Sequence, residues 1–210
     1  ESSDKNFSFM ASYHVPSKKF SQLADSTMRS VSIAPKGLYA IGYNNSEYEY
    51  MSNLNGQSYS DIYVIDLKTG NKKLLVKKYH QNARGGFSVS PNGKWALFYK
   101  DGVYYSIDFE TQKEYNLSGN IKTSFVDALS DTNVENPATP SFGWSSDSKY
   151  VLIRDNFDLW KISADGKSVT PLTDNWKTKN QLVRSRQWIY PLEKGVDLSK
   201  DQYFTIFNAQ

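Results

Sequence analysis

Few residue types in this chain are suited to covalent or metal chemistry. With two histidines and no cysteine, the chain has no thiolate nucleophile and none of the usual zinc-binding patterns. A hydrolase serine needs Gly-x-Ser-x-Gly, because its strained turn requires small neighbours. No serine in a Gly-x-Ser tripeptide is followed by glycine two positions later, and these serines are Ser58, Ser88, Ser145 and Ser168. We therefore expect no catalytic triad, no metal and no cofactor within this sequence.

Composition excludes further classes of function. The formal net charge is only +3 and the lysines are scattered or paired, so nucleic-acid binding has little support. No apolar run approaches the roughly 18 residues of a membrane span. The absence of cysteine fits an oxidising compartment, and the polar start at residues 1–5 resembles a mature or engineered end. We expect a periplasmic or secreted piece of a longer protein.

Two groups of charged and aromatic residues are candidates for contact with a substrate or partner. The first is the alternation Glu47-Tyr48-Glu49-Tyr50, whose tyrosines would cover a partner while its glutamates meet a cation or a peptide amine. The alternative is that these tyrosines pack against the neighbouring part of the fold. The second group would bind a carboxylate or form internal ion pairs, and consists of Arg84, Arg154, Arg184 and Arg186.

A phrase repeated four times shows which elements must position these residues. It begins at Ser32, Ser88, Gly143 and Asp197 and reads SIAPKGLYAIGY, SVSPNGKWALFY, GWSSDSKYVLIR and DLSKDQYFTIFN. The period of about 55 residues, with several strands in each repeat, is typical of a β-propeller. A turn separates a short strand from a buried apolar strand, and a hairpin such as the one around Lys68-Thr-Gly70 follows. Four antiparallel strands per repeat predict one propeller blade.

The prediction is an all-β fold in which residues 1–210 form a single partial propeller. Three complete four-stranded blades are expected at about 28–80, 85–118 and 139–173, with partial blades at 7–24 and 187–207. A truncated larger propeller is favoured, and pairing of the two half-blades into a closed ring is the alternative. The open blade edges also predict self-association.

Insertions and tryptophans complete the pattern. Residues 44–60 and 120–139 interrupt the repeat, and such insertions on one face of a repeat scaffold are where binding often occurs. Four tryptophans at related positions are predicted to pack between blades rather than to form a sugar-binding platform, and they are Trp95, Trp144, Trp160 and Trp188.

The ordered repeats resemble the propeller of prolyl oligopeptidase and dipeptidyl peptidase IV-like serine peptidases, the S9 class, of Bacteroidota type. The resemblance rests on the second repeat from Ser88 and, more specifically, on three segments of the third repeat, residues 142–150, 154–160 and 171–180. It implies a parent chain in which an α/β-hydrolase domain carries the catalytic triad. The paired-glutamate motif Asp-Trp-x-Tyr-Glu-Glu of dipeptidyl peptidases is absent, so dipeptidyl specificity does not follow.

These observations predict a non-catalytic propeller that gates peptide access and docks the α/β-hydrolase domain of its parent. Glu47, Tyr48, Glu49, Arg84 and Arg154 are the predicted contacts with substrate or partner. The rival hypothesis is a stand-alone TolB-like propeller that acts as a protein-interaction scaffold.

Overall fold

The computed structural model describes residues 8–81, 86–132, 134–174, 181–189 and 192–208. The chain divides into two compact units, residues 1–81 and 82–210. Among the described residues, regular structure consists almost wholly of short antiparallel strands, because β-branched and aromatic side chains recur between turn sequences.

The first unit contains one four-stranded sheet and one hairpin. The hairpin pairs β1 (Ala11–His14) with β2 (Lys19–Gln22). The sheet has the order β3-β4-β5-β6 and is antiparallel throughout, and its strands are β3 (Ser30–Ile33), β4 (Tyr39–Asn44), β5 (Tyr59–Asp66) and β6 (Lys72–His80). A 3₁₀ turn at Pro35–Gly37 joins β3 to β4, and a helix, α1 (Glu49–Asn55), lies between β4 and β5.

The core of this unit packs around β4. Ala40 and Ile65 are completely buried and contact Leu23 and Met28. Gly42 is needed in β4 because a Cβ atom there would lie 2.2 Å from the Met28 sulfur. The apolar run Leu38–Tyr43 predicts a strand buried on both faces, and this holds for the centre of β4, whereas Leu38 is 48% exposed.

The second unit contains two four-stranded antiparallel sheets and a strand pair. The first sheet comprises β7 (Ser88–Val89), β8 (Trp95–Lys100), β9 (Val103–Asp108) and β10 (Glu114–Asn116). The second comprises β11 (Ser141–Trp144), β12 (Tyr150–Arg154), β13 (Leu159–Ser163) and β14 (Val169–Pro171). The final pair is β15 (Gln181–Arg186) with β16 (Phe204–Asn208).

A single apolar cluster joins the two four-stranded sheets of the second unit. It includes Leu97 and Tyr104 from the first sheet and Val151 from the second. Phe125 belongs to the same cluster and comes from the insertion at 120–139, where Thr139 donates its backbone N–H to the Phe125 carbonyl at 2.9 Å. Part of this insertion is therefore core rather than exposed loop.

The same six-residue turn occurs three times in this unit and begins at Ser90, Ser145 and Ser163. Each serine hydroxyl donates to the Asn or Asp side chain two residues later, at 2.7, 2.6 and 2.7 Å. Each hydroxyl also accepts the backbone N–H five residues later, at 3.0, 2.9 and 2.9 Å. The hydroxyl therefore bridges both ends of the turn and supports the strand that follows.

The tryptophans follow the packing prediction with one exception. Trp144 is buried and donates its indole N–H to the Ser88 carbonyl at 3.3 Å. Trp95 and Trp160 are half-buried and pack against the core cluster. Trp188 is 58% exposed, so the prediction is wrong there, because this residue lies beyond the end of β15.

The predicted fold class is confirmed: the chain is an all-β partial propeller, and its described residues form three four-stranded sheets and a two-stranded sheet toward each end. The sheets span residues 30–80, 88–116 and 141–171. The assignment of the whole chain to a single domain stays a prediction.

Candidate functional site

The insertion between β4 and β5 is the best candidate for a binding site, and part of it is helical. The sequence predicts an insertion at residues 44–60, and within it Glu49 begins α1. Gly56 ends the helix with φ of +69° and donates its N–H to the Ser52 carbonyl at 2.9 Å. A glycine adopts this left-handed conformation without the steric cost that a side chain brings, which favours a helix end here.

Tyr48 anchors the start of the helix to the sheet. Its hydroxyl donates to the Asp61 carboxylate at 2.6 Å, and the same carboxylate oxygen accepts the Lys78 backbone N–H at 2.8 Å. Asp61 is only 6% exposed, so these bonds satisfy a buried charge. Burial, and then the bond to Asp61, raises the pKa of Tyr48 to about 12. Tyr48 is therefore a neutral donor at every physiological pH.

Aromatic stacking supports the opposite side of the insertion. The Tyr59 ring stacks on His80 with centroids 4.8 Å apart, and the Lys78 ammonium lies 5.3 Å from the Tyr59 ring centre. The Tyr59 hydroxyl donates to the Gln57 side chain at 2.7 Å. Burial lowers the pKa of His80 and so favours the neutral imidazole.

Two cavities that share lining residues open beside α1. One has a volume of about 260 Å³ and is lined mainly by polar groups, among them Tyr48, Glu49, Asn53 and Tyr59. The other has a volume of about 450 Å³ and is lined by residues that include Arg29, Tyr43 and Ser60. Glu49, Asn45 and Gln81 line both. Carboxylate, guanidinium, amide and phenol groups together suit a small polar ligand with several hydrogen-bonding groups.

The structure separates the predicted contact residues. Tyr48 and Glu49 line the first cavity, whereas Glu47 is exposed and is not among the lining residues. Arg84 lies outside the described residues. Arg154 is in the second unit and 5% exposed, and its guanidinium donates to the carbonyls of Asp155 and Val183. A role for any of them in substrate contact stays a prediction.

The other candidate residues differ in their surroundings. Tyr50 is 75% exposed, so the alternative that both tyrosines pack inward holds for Tyr48 alone. Arg184 is exposed, while Arg186 is buried and forms an ion pair with Glu193 at 2.6 Å. The ring of Trp188 covers the Arg186 guanidinium at 4.3 Å.

Sequence reasoning missed several lining residues of the cavities, including Arg29, Asn45 and Gln81. Arg29 and Gln81 stand just outside the ends of β3 and β6, far from residues 47–50 in sequence. Only the pairing of the four strands brings them beside α1. The one available signal was that each residue flanks a predicted strand of the same repeat.

One histidine is hydrogen-bonded to a serine, the residue pair that nucleophilic hydrolases use. His14 Nδ1 lies 2.6 Å from Ser17 Oγ, but both residues are exposed in the turn of the first hairpin. A functional triad also requires a carboxylate that orients the imidazole. Among the described residues, no carboxylate is hydrogen-bonded to His14. The bond is best explained as part of the turn between β1 and β2.

The carboxylate of Asp155 is likewise part of a turn. Asp155 Oδ1 accepts the backbone N–H groups of Phe157 and Asp158 at 2.7 and 2.6 Å. Within the described parts of the chain, no group of three acidic or histidine side chains converges as metal ligands do. No helix there has the length and apolar character needed to cross a membrane.

Comparison with known proteins places the architecture in one class. No family model matches the chain, and no curated protein does. The crystal structure of Porphyromonas gingivalis dipeptidyl peptidase 4 aligns with a TM-score of 0.54 at 10% identity, over 85% of this chain and 31% of that protein. TolB from Acinetobacter baumannii aligns with a TM-score of 0.39 at 15% identity, over 95% of this chain and 46% of that one.

The chain thus spans about a third of the peptidase and less than half of TolB. At these identities the peptidase match is informative about the fold alone. Together with the four-stranded sheets, it defines the chain as part of a β-propeller protein.

Proposed function

We propose that this chain is the non-catalytic propeller portion of an S9-type serine peptidase. In this role it gates peptide access and docks the α/β-hydrolase domain that carries the triad. The structural match to dipeptidyl peptidase 4 is the main support for the proposal. It covers 85% of this chain but only 31% of that protein, as expected for one portion of a longer enzyme. The sequence resemblance of the second and third repeats supports it. A periplasmic or secreted location is part of the same proposal.

The cavities beside α1 supply the proposed contact with peptide. Glu49 lines both cavities, and the Tyr48 hydroxyl is hydrogen-bonded to Asp61. Peptides present amide N–H and C=O groups, which the Asn45 and Gln81 side chains are able to pair. Glu47 lines neither cavity, so its predicted contact with substrate is not part of this proposal.

A fluorophosphonate probe, which labels activated serines, tests whether the catalytic serine lies outside this chain. We expect no labelling of this 210-residue chain and strong labelling of the full product of its coding sequence. If neither is labelled, the proposal fails and the TolB-like scaffold replaces it. Labelling of the chain itself would also overturn the proposal, since it would place a nucleophile within these residues.

The contact surface is tested separately in the full-length enzyme. We expect Glu49→Gln to raise KM for peptide substrates with little change in kcat, because uniform binding would be lost. Glu47→Gln is the matched control, since it removes another exposed carboxylate of the same segment that does not line the cavities. Equal KM values for the two variants would show that Glu49 does not contact the substrate.

A further inference from the structure

The helix α1 presents two different faces. Residues three and four positions apart lie on the same side of a helix, so Glu49, Ser52 and Asn53 form one face, and all three line the first cavity. Tyr50 and Leu54, four positions apart, form the other, which we call the outer face of α1. Neither residue lines a cavity, and they are 75% and 67% exposed. The outer face is therefore an uncovered apolar surface.

This arrangement is unusual for a surface helix. Such a helix normally turns its apolar residues toward the protein and its polar residues toward water. In α1, polar residues line the cavity while a tyrosine and a leucine remain in solvent. Uncovered apolar side chains beside a binding cavity are typical of a surface that contacts another protein or domain.

A neighbouring propeller blade is not suited to cover the outer face. Blades pack through the faces of their sheets, as in the second unit, where Leu97 and Tyr104 of one sheet share an apolar cluster with Val151 of the next. The helix α1 instead belongs to the connection between β4 and β5, at one end of these strands. A further blade would therefore pack on the sheet and leave the outer face uncovered.

A second copy of the chain is not suited to cover it either. Glu47 and Glu49 are exposed and adjoin Tyr50 in sequence. If two copies paired symmetrically through their outer faces, these carboxylates would approach the same carboxylates of the other copy, and like charges across an interface oppose association. The charges therefore favour a different domain as the partner.

We propose that the outer face of α1 docks the α/β-hydrolase domain of the parent chain. This inference rests on the proposed function, in which the cavities beside α1 hold the peptide. A serine that attacks this peptide has to reach it, so the domain that carries the serine must lie against the end of the sheet where the cavities are. Tyr50 and Leu54 are exposed apolar residues at that end, and the docked domain covers them.

Cysteine labelling tests this contact, because the chain has no cysteine of its own. Tyr50→Cys and Leu54→Cys are introduced separately into the 210-residue chain and into the full product of its coding sequence. Maleimide labelling at the introduced residue is then measured by peptide mass mapping. We expect rapid labelling in the 210-residue chain and loss of labelling in the full product. Both side chains are exposed in the chain, so both variants should fold.

Leu38→Cys is the matched control, because Leu38 is an exposed apolar residue at the opposite end of the same sheet. It is 48% exposed and precedes β4, whereas α1 follows β4. We expect Leu38→Cys to be labelled equally in the two proteins. Loss of labelling at Leu38 as well would mean that the full product covers both ends of the sheet, and a docking contact specific to α1 would be overturned.

Weakening the contact provides a second test. In the full product, adding Leu54→Asp should restore the labelling of Tyr50→Cys, because burying a carboxylate in an apolar contact is costly. Adding Leu38→Asp should not restore it. If neither addition restores labelling, Tyr50 is protected by something other than a contact with the outer face, and the proposal fails.

The outcomes distinguish this proposal from the proposed function. Equal labelling of Tyr50→Cys in both proteins, in a full product that reacts with the fluorophosphonate probe, would overturn the docking surface and leave the peptidase role intact. Loss of labelling in a full product that does not react with the probe would mean that a domain of another kind covers α1, and both proposals would fail. Protection that appears in the 210-residue chain as its concentration rises would identify a second copy as the partner, which also overturns the proposal.

Discussion

The strands β8 and β16 follow the same repeated phrase but have different surroundings. In β8, Leu97 and Phe98 have no exposed surface, and the strand pairs on both sides. In β16, Ile206 and Phe207 remain about half exposed, and one edge has no described neighbour. The comparison shows that the phrase determines a strand, whereas adjoining strands and sheets determine how much that strand contributes to stability.

The largest difference should come from removing one aromatic ring from each strand. We expect Phe98→Ala to lower the free energy of unfolding by about 3–5 kcal/mol, because a fully buried ring leaves a cavity. Phe207→Ala should cost less than about 1 kcal/mol, because its ring is already 44% exposed. Urea titration followed by tryptophan fluorescence measures both, since every tryptophan lies in the second unit. A Phe207→Ala penalty as large as that of Phe98→Ala would contradict the comparison.

A smaller difference is expected from the serine at the third position of the phrase. Ser145 is 1% exposed and its hydroxyl both donates to Asp147 and accepts the Tyr150 N–H. Ser145→Ala should therefore cost about 1–3 kcal/mol, because a buried backbone donor loses its partner. Ser199 is the matching residue of the last repeat and is exposed, so Ser199→Ala should change stability by less than about 0.5 kcal/mol. The same titration distinguishes the two, and equal penalties would show that burial is irrelevant to this turn.

The repeat also explains how much of the fold could be predicted. Turn residues and apolar runs at a regular period predicted the four-stranded sheets, because each repeat encodes its own local structure. The helix α1 was not predictable in the same way, since Glu47-Tyr-Glu-Tyr50 alternates with the period of a strand. Gly56 and the spacing of Tyr50 and Leu54 were the available helical signals.

The candidate site was less predictable than the fold. Tyr48 and Glu49 could be found from their residue types, but their anchoring could not. Asp61 reads as an ordinary strand residue, and only the folded sheet brings its carboxylate to the Tyr48 hydroxyl. Long-range partners of this kind leave no periodic signal in a single sequence.

The smallest effect concerns acid stability, where the repeated turn offers its own control. The Ser163 hydroxyl bond, together with Lys167, lowers the pKa of Asp165 to about 2, against about 3.9 in an unfolded chain. A lowered pKa means that the folded state favours the ionised carboxylate, so this contribution is complete above about pH 5 and is lost as the pH falls toward 2. Asp165→Asn should therefore reduce the loss of stability between pH 7 and pH 3.

The turn at Ser90 allows the reverse change, because it has Asn92 at the position of Asp165 and the same hydroxyl bond. Asn92→Asp should make stability more dependent on pH in the acid range, provided that the turn lowers the pKa of the new carboxyl as it does that of Asp165. Urea midpoints at pH 7 and pH 3 measure both variants. Opposite changes in the two variants would show that the turn itself favours an ionised carboxylate, whereas an unchanged pH dependence in both would place the origin of acid sensitivity elsewhere in the second unit.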